Sequence, residues 1–273
     1  MTPYICPLAS GSLGNALLVA SAKARVLVDM GLSQRGLRAG LREAGVAPGD
    51  VGAVLLTHTH RDHFSAAAVS FCLAHHTPVY STQENLEHLS ATLTGFRRLG
   101  GAGLAREIDG GPVEIGDLAV EAFDVPHDSE GGCLGFRLSV GGPRRRRVVA
   151  VATDLGHVPT DTVEAFIDAD AVVLESNHDP DMLRESGRPW DLIERIAGDF
   201  GHLSNESCAD ALVEIVGRSH PGRVKAVVLA HLSRDCNTPE LALDAQAHLA
   251  RHRAHPLRIA AASQYETGPR IEL

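Results

Sequence analysis

Short apolar runs and amphipathic segments alternate along the chain, and together they predict a series of strands and helices. A short apolar run bounded by polar or glycine residues is typical of a buried strand. Apolar residues that recur with helical spacing predict a helix that buries one face. The predicted strands are residues 15–19, 25–28, 51–56, 78–80, 171–174 and 224–229. The predicted helices are residues 33–43, 65–75, 160–169, 204–217 and 239–251.

The middle of the chain has a different pattern. Residues 113–153 alternate between apolar and polar positions, which predicts four antiparallel strands with turns near Gly116, Glu130 and Gly142. Strands and helices then alternate to the end, so we predict an α/β fold whose sheets carry helices on their outer faces. Since no linker or repeat interrupts the pattern, residues 1–273 are expected to form a single domain.

The composition is that of a globular protein. Of the 273 residues, 44% are hydrophobic. The five cysteines are odd in number and form no C-x-x-C pair, so we expect no disulfide framework and a reducing compartment. The chain shows no signal-peptide pattern, and no apolar stretch approaches the roughly 18 residues of a membrane span. We therefore expect a cytoplasmic protein that does not enter a membrane.

The charge is acidic on average but uneven. The formal net charge of −9 argues against a protein that coats nucleic acid. Residues 144–147, however, are four consecutive arginines that follow Gly141, Gly142 and Pro143. This run fits a hairpin turn with solvated arginines, and it also fits a contact to a phosphate backbone.

The densest group of chemically active side chains follows the apolar run 51–56. Four potential metal ligands, His58, His60, Asp62 and His63, lie within six residues at the end of this predicted strand. Imidazole and carboxylate groups together suit one or two divalent metals. A surface loop rich in histidine is the alternative, since the chain has 15 histidines. Unpaired His and Asp rarely cluster at a strand end without metal or catalysis.

The spacing His-x-His-x-Asp-His resembles the signature of the metallo-β-lactamase superfamily. The resemblance implies a four-layer αββα sandwich and further site residues, each at the end of a strand. Four residues follow apolar runs at the expected places in the sequence: Asp29, His127, Asp154 and His231.

Coordination chemistry and the resemblance together imply two metal ions. One would be held by His58, His60 and His127, and the second by Asp62, His63 and His231, with Asp154 between them. Asp29 is expected to accept hydrogen bonds that position the ligand loop. Two divalent ions can share a hydroxide that attacks an ester, so Asp62 and Asp154 are predicted to be catalytic. The family resemblance implies manganese in function, and the ligands themselves suit manganese, zinc and iron alike.

Finer motifs are similar to those of the YycJ/WalJ branch of this superfamily, and they extend nearly from end to end. They are S-G-S-x-G-N at Ser10–Asn15, E-x-N-H-D at 175–179, G-H-L-S-N at 201–205 and A-H-L-S at 230–233. Leu13 departs from the pattern, because a small residue is common at that position. The resemblance implies a cytoplasmic, metal-dependent exonuclease that degrades duplex DNA from the 5′ end and takes part in DNA repair.

Several residues are predicted to contact the substrate: Ser10, Ser12, Asn15, Asn177 and His202. The Gly/Ser run can offer backbone N–H groups to a phosphate, or it can be a plain turn. His202 is also predicted to be catalytic, as a proton donor to the leaving 3′ oxygen, and its alternative is a cap for the following helix.

The sequence is compatible with other functions. The same fold and ligands would serve a small-molecule phosphodiesterase or a thioester hydrolase, and a metal-binding protein without catalysis is a further alternative. Residues 90–107 contain four glycines and are expected to form a loop over the active site.

Overall fold

Two β-sheets pack face to face, and helices cover the outer face of each. The computed structural model describes residues 2–141, 146–251 and 256–273. The strands of the first sheet are β1 (Tyr4–Ala9), β2 (Ala16–Ala20), β3 (Arg25–Val28), β4 (Ala53–Leu55), β5 (Val79–Ser81), β6 (Ala105–Glu107) and β14 (Ile271–Glu272). They lie in the order β14-β1-β2-β3-β4-β5-β6, and β3 to β6 are parallel.

The second sheet repeats this plan. Its strands are β7 (Val113–Ile115), β8 (Leu118–Val125), β9 (Cys133–Val140), β10 (Arg147–Ala152), β11 (Ala171–Glu175), β12 (Ala226–Ala230) and β13 (Arg258–Ala261). Their order is β13-β12-β11-β10-β9-β8-β7. The strands β7 to β10 are antiparallel, as their alternating pattern predicts, and β10 to β13 are parallel.

The helices lie on the outer faces. Their bounds are α1 (Gln34–Glu43), α2 (Ala66–His75), α3 (Gln83–Thr92), α4 (Arg97–Gly101), α5 (Thr160–Phe166), α6 (Pro180–Arg184), α7 (Trp190–Ala197), α8 (Asn205–Arg218) and α9 (Pro239–Ala245). Short 3₁₀ helices span Pro48–Asp50 and Gln246–Arg251. In the described part of the chain, no helix combines the length and the apolar character that crossing a membrane requires.

Apolar side chains form three buried layers. Phe136 is fully buried between the two sheets. Leu41 and Phe71 join the first sheet to its helices, and Phe166 and Leu212 do the same for the second sheet. Each sheet is apolar on both faces, so one face packs on the other sheet and the opposite face packs on helices. This confirms the predicted αββα sandwich.

The topology brings the ends of distant strands to one edge. The carboxyl ends of parallel strands meet at the same edge of a sheet, where the connecting loops commonly carry function. Asp29 follows β3, Asp154 follows β10 and His231 follows β12. The strand β8 runs in the same direction as β10, because β9 is antiparallel to both, so His127 reaches this edge as well.

The expectation of a loop at residues 90–107 is wrong. This segment contains the end of α3, the helix α4 and the strand β6, which pairs with β5. Phe96 and Leu99 are fully buried in the layer outside the first sheet, so the segment does not cover the strand ends. Gly95 and Gly103 have φ angles of 87° and 69°, which allow the tight turns between these short elements.

The strands β1, β6, β13 and β14 and the helices α3, α4, α6 and α7 were not predicted. The predicted helix 239–251 is α-helical as far as Ala245, and the rest of it is the 3₁₀ helix Gln246–Arg251. Short or weakly patterned segments of this kind gain their structure from neighbours in the fold rather than from their own periodicity.

Half of the arginine run pairs with acidic residues of the protein. Arg146 Nη2 lies 3.7 Å from Glu121 Oε1, and Arg147 Nη1 lies 3.2 Å from Asp170 Oδ1. Arg144 and Arg145, and the predicted turn at Gly142, lie outside the described residues.

Candidate metal centre

One group of histidines gathers at the end of β4. His58 Nε2 lies 2.9 Å from His60 Nδ1, and a ring nitrogen of His127 lies within 4.8 Å of both rings' nitrogens. His127 donates from Nδ1 to the carbonyl oxygen of Gly201 at 3.1 Å, which directs Nε2 towards the other two rings. That Nε2 is buried and makes no hydrogen bond among the described residues.

A second group lies beside the first. His63 Nε2 and His231 Nε2 each lie 3.5 Å from Asp62 Oδ2. His231 Nε2 is buried and has no hydrogen-bond partner in the described part of the chain. Buried polar atoms are nearly always paired, so an unpaired ring nitrogen that faces a carboxylate fits a metal ligand.

Asp154 lies between the two groups. Its Oδ2 is 3.2 Å from His63 Nε2 in the second group, and its Oδ1 is 3.9 Å from His127 Nε2 in the first. The side chain is 2% exposed. The structure thus brings together all seven predicted ligand residues, around a carboxylate that both groups share.

The backbone is strained where the site residues leave their strands. Asp29, Asp154 and His231 have φ angles of 61°, 59° and 53°, which non-glycine residues rarely adopt. Each such residue costs about 1–3 kcal/mol, and strain of this kind clusters at functional sites. The left-handed turn directs each side chain inward just after its strand ends.

Asp29 positions the ligand loop. Its Oδ2 lies 2.8 Å from His63 Nδ1, and its Oδ1 accepts the backbone N–H of Thr57 at 2.9 Å. With Nδ1 bound to a carboxylate, His63 has only Nε2 left to face Asp62 and Asp154. A carboxylate behind a histidine in this way fixes the ring orientation and raises its basicity.

Glu175 has the same role on the opposite side, and the sequence reasoning missed it. This residue ends β11 and is fully buried. Its Oε1 lies 2.7 Å from His231 Nδ1 and 2.9 Å from His202 Nδ1. The available signal was the position of Glu175 at the end of an apolar run, like Asp154 and His231. Only the pairing of β11 with β10 and β12 places it between them.

The two groups differ in protonation. Burial and the charge of His63 lower the pKa of His58 well below its usual value, so this ring is neutral. Burial also lowers the pKa of His231, but Asp154, Asp62 and Glu175 outweigh it and raise the pKa to about 10. Burial raises the pKa of Asp154, but His231 and His63 outweigh burial and hold it well below its usual range. Without metal, protons on the second group therefore balance its carboxylates.

These residues fit divalent metal ions. Neutral imidazoles, ionised carboxylates and buried ring nitrogens without partners form the donor set that such ions bind. Without metal, the neighbouring carboxylates keep the histidines of the second group protonated. The positive charge of bound ions would replace these protons.

The predicted substrate contacts fall into two sets. Ser10, Asn15 and Asn177 are buried and bond to the site residues instead of facing the cleft. Ser10 Oγ accepts the backbone N–H of His231 at 2.8 Å, and Asn177 Nδ2 donates to the carbonyl oxygen of His231 at 2.8 Å. Asn15 Nδ2 lies 3.0 Å from His63 Nε2. Ser12 and His202, in contrast, line the cleft above the two groups.

The cleft has a wall that the sequence did not predict. The helix α7 contributes Leu192, Arg195 and Ile196 to the lining of the cleft. Its end packs closely on the loop that carries His202, because the N–H of His202 donates to the carbonyl oxygen of Ile196 at 2.8 Å. Gly201 allows this approach, since a Cβ there would lie 2.2 Å from the carbonyl oxygen of Arg195.

Comparison with known proteins assigns the family. Residues 24–232 match the beta-lactamase superfamily domain. Exodeoxyribonuclease YycJ of Bacillus anthracis is 35% identical over 240 residues, which cover 86% of this chain and 84% of that protein. Exodeoxyribonuclease WalJ of Streptococcus pneumoniae serotype 2 is 31% identical over 240 residues, which cover 86% of this chain and 83% of that protein.

The fold is shared more widely. The crystal structure of the metallo-β-lactamase fold protein YhfI from Bacillus subtilis matches with a TM-score of 0.69 at 14% identity. The match covers 98% of this chain and 99% of that one. The chain therefore belongs to the metallo-β-lactamase superfamily, in its YycJ/WalJ exodeoxyribonuclease branch, and is a metal-dependent hydrolase.

Proposed function

We propose that this protein is a DNA exonuclease that hydrolyses duplex DNA from the 5′ end at a dinuclear metal centre in the cytoplasm. The observation that carries the proposal is the pair of ligand groups that share Asp154 on the floor of a cleft. The names of the two relatives, both exodeoxyribonucleases, support DNA as the substrate.

Seven side chains would hold the metals. In this proposal His58, His60 and His127 bind one ion, Asp62, His63 and His231 bind the other, and Asp154 contacts both. When bound, two divalent ions acidify water and offset the negative charge that develops on a phosphate oxygen. We propose manganese as the native metal, although the donor set also suits zinc and iron.

His202 is proposed to donate a proton to the leaving 3′ oxygen. Burial lowers its pKa, but the charge of Glu175 and the hydrogen bond to it outweigh burial and raise the pKa. These interactions favour the protonated form of the ring. Its Nδ1 is bound to Glu175, so Nε2 is the nitrogen that can face a substrate in the cleft. A general acid needs both this orientation and a pKa near the working pH.

The test compares the wild type with Asp154→Asn on duplex DNA that carries a label at either the 5′ or the 3′ end, with manganese. Asparagine tolerates the left-handed φ of 59° at this position, so the fold should persist. We expect the wild type to release the 5′ label first and the variant to be at least about a hundredfold slower. Asp161→Asn, on the exposed start of α5, is the matched control and should retain activity.

Two results would contradict the proposal. Release of the 3′ label first would reverse the polarity. If the wild type hydrolyses neither labelled end but cleaves a small phosphodiester such as bis(p-nitrophenyl) phosphate, the substrate is a small molecule instead of DNA.

A further inference from the structure

Arg195 stands out among the residues that line the cleft. It lies in the last turn of α7, on the wall that this helix contributes to the cleft. Among the described residues that line the cleft, it is the only arginine or lysine. The remaining titratable residues there are proposed metal ligands, Asp128 and His202. Arg195 therefore adds a permanent positive charge to a cleft whose other cationic groups are histidines.

An acidic neighbour pairs with one side of the guanidinium. Arg195 Nε donates to Asp128 Oδ2 at 2.6 Å, and Asp128 Oδ1 lies 3.7 Å from His127 Nε2. Asp128 thus places the guanidinium beside His127. In the described part of the chain, Nη1 and Nη2 of Arg195 make no hydrogen bond or ion pair, and the side chain is 61% exposed. Both terminal nitrogens are available to a ligand.

The backbone of Arg195 is fixed as well. Its carbonyl oxygen rests against Gly201, and the next residue accepts the N–H of His202. The backbone at Arg195 therefore packs directly on the loop that carries the proposed general acid. A side chain positioned from both ends loses less entropy when it binds a ligand.

The chemistry of this arrangement suits a phosphate. The planar guanidinium of arginine binds phosphate through two parallel N–H···O bonds, which lysine cannot do. An exonuclease that removes the first nucleotide from a 5′ end leaves the terminal phosphate one nucleotide away from the bond that is cut. A phosphate monoester carries a charge of about −1.5 to −2 near neutral pH, whereas each backbone diester carries one.

We infer that Arg195, held by Asp128, binds the 5′-terminal phosphate and makes the enzyme select 5′-phosphorylated DNA ends. The inference rests on the proposed exonuclease function and adds a specificity to the same site. It assigns α7 the recognition of the strand end, while the ligand groups act on the scissile phosphate.

The experiment measures kcat and KM on two duplexes that differ only in a 5′-phosphate or a 5′-hydroxyl, with manganese. For the wild type we expect kcat/KM to be about tenfold to a hundredfold higher on the phosphorylated duplex. Arg195→Ala should bring this ratio close to one, mainly through a higher KM on the phosphorylated duplex. Arg195→Lys keeps the charge but cannot form two parallel N–H···O bonds, so its ratio should be intermediate.

Two further variants test the geometry. Asp128→Asn should lower the ratio, because an amide holds the guanidinium less firmly than a carboxylate. Arg184→Ala is the matched control, since Arg184 is an exposed arginine of α6 that pairs with Asp181 and does not line the cleft. It should retain the wild-type ratio.

The outcomes separate this inference from the proposed function. If the wild type degrades both duplexes at equal rates, or if Arg195→Ala retains the preference, the inference is overturned and the exonuclease proposal stands. If the wild type degrades neither duplex, the exonuclease proposal fails and the inference fails with it.

Discussion

Glu175 Oε1 lies 2.7 Å from Nδ1 of His231, and the same oxygen lies 2.9 Å from Nδ1 of His202. One buried carboxylate thus orients a proposed metal ligand and the proposed general acid. Its other oxygen accepts the backbone N–H groups of Leu155 and Leu203, at 2.9 Å and 3.2 Å. The position of Glu175 therefore links the loops that follow β10, β11 and β12.

Replacing this carboxylate should weaken metal binding. Glu175→Gln retains the shape but has a single acceptor oxygen for four donors, so His231 would lose its fixed orientation. We expect the affinity for manganese to fall about tenfold to a hundredfold. Calorimetric titration of the metal-free protein measures this. Glu185→Gln, at an exposed position, is the control, and equal affinities of the two variants would contradict the role of Glu175.

Metal affinity should rise with pH. His231 has a pKa of about 10 in the protein without metal, because Asp154, Asp62 and Glu175 outweigh the effect of burial. Since a metal binds the neutral ring, an ion bound by the second group must displace such a proton. We expect affinity to increase about tenfold per pH unit for each proton released, between about pH 6 and pH 8. An affinity that does not change with pH would show that the second group is already deprotonated.

The stability of the metal-free protein should change in the opposite direction. The pKa of His231 is raised above that of the unfolded chain, where histidine titrates near 6.5. Its stabilising contribution is complete below about pH 6.5 and is lost as the pH rises towards about 10. With a chelator present, we therefore expect a lower Tm at about pH 9 than at about pH 7. Calorimetry would contradict this if the Tm rose over that interval.

A close backbone approach beneath the metal centre predicts a sensitive glycine. A Cβ on Gly31 would lie 1.6 Å from the carbonyl oxygen of Asp62, so Gly31→Ala must displace the ligand loop. We expect a loss of about 1–3 kcal/mol in the free energy of unfolding, together with weaker metal binding. Urea unfolding measures the first quantity. The control is Gly49→Ala, where no atom lies within 4 Å of the added carbon, and a similar loss in both variants would contradict the prediction.

The two serines of the Gly/Ser run should behave differently. Ser10→Ala removes the buried acceptor of the His231 N–H, which should cost about 1–3 kcal/mol of stability and reduce metal affinity. Ser12→Ala, at an exposed residue that lines the cleft, should instead raise KM for DNA and leave metal affinity unchanged. Kinetics and metal titration of both variants separate the two roles. The reverse pattern would mean that Ser10 contacts the substrate.

The predicted fold layers follow from local pattern. Alternation over residues 113–153 predicts the antiparallel strands β7 to β10, and short apolar runs predict the parallel strands β3, β4, β5, β11 and β12. The segment 90–107 shows the limit of this reasoning. Its glycines predicted a loop, but Phe96 and Leu99 bury themselves against the first sheet and give the segment a regular structure.

The candidate ligands could also be found from the sequence, because their chemistry and their place at strand ends are both local features. His58, His60, Asp62 and His63 are close in the chain, so no knowledge of the fold was needed to group them. His127, Asp154 and His231 needed the family resemblance, since nothing in the sequence between them shows that they meet.

Only the tertiary structure decided what surrounds these ligands. The hydrogen bond between Ser10 and His231 joins residues 221 positions apart, and it turns a predicted substrate contact into a support for a ligand loop. Glu175 and Arg195 acquire their places in the same way, through the pairing of β11 with its neighbours and the packing of α7 on Gly201. Periodicity and ligand chemistry are local properties of the sequence. A buried acceptor or a cleft wall depends instead on which distant segments the fold brings together.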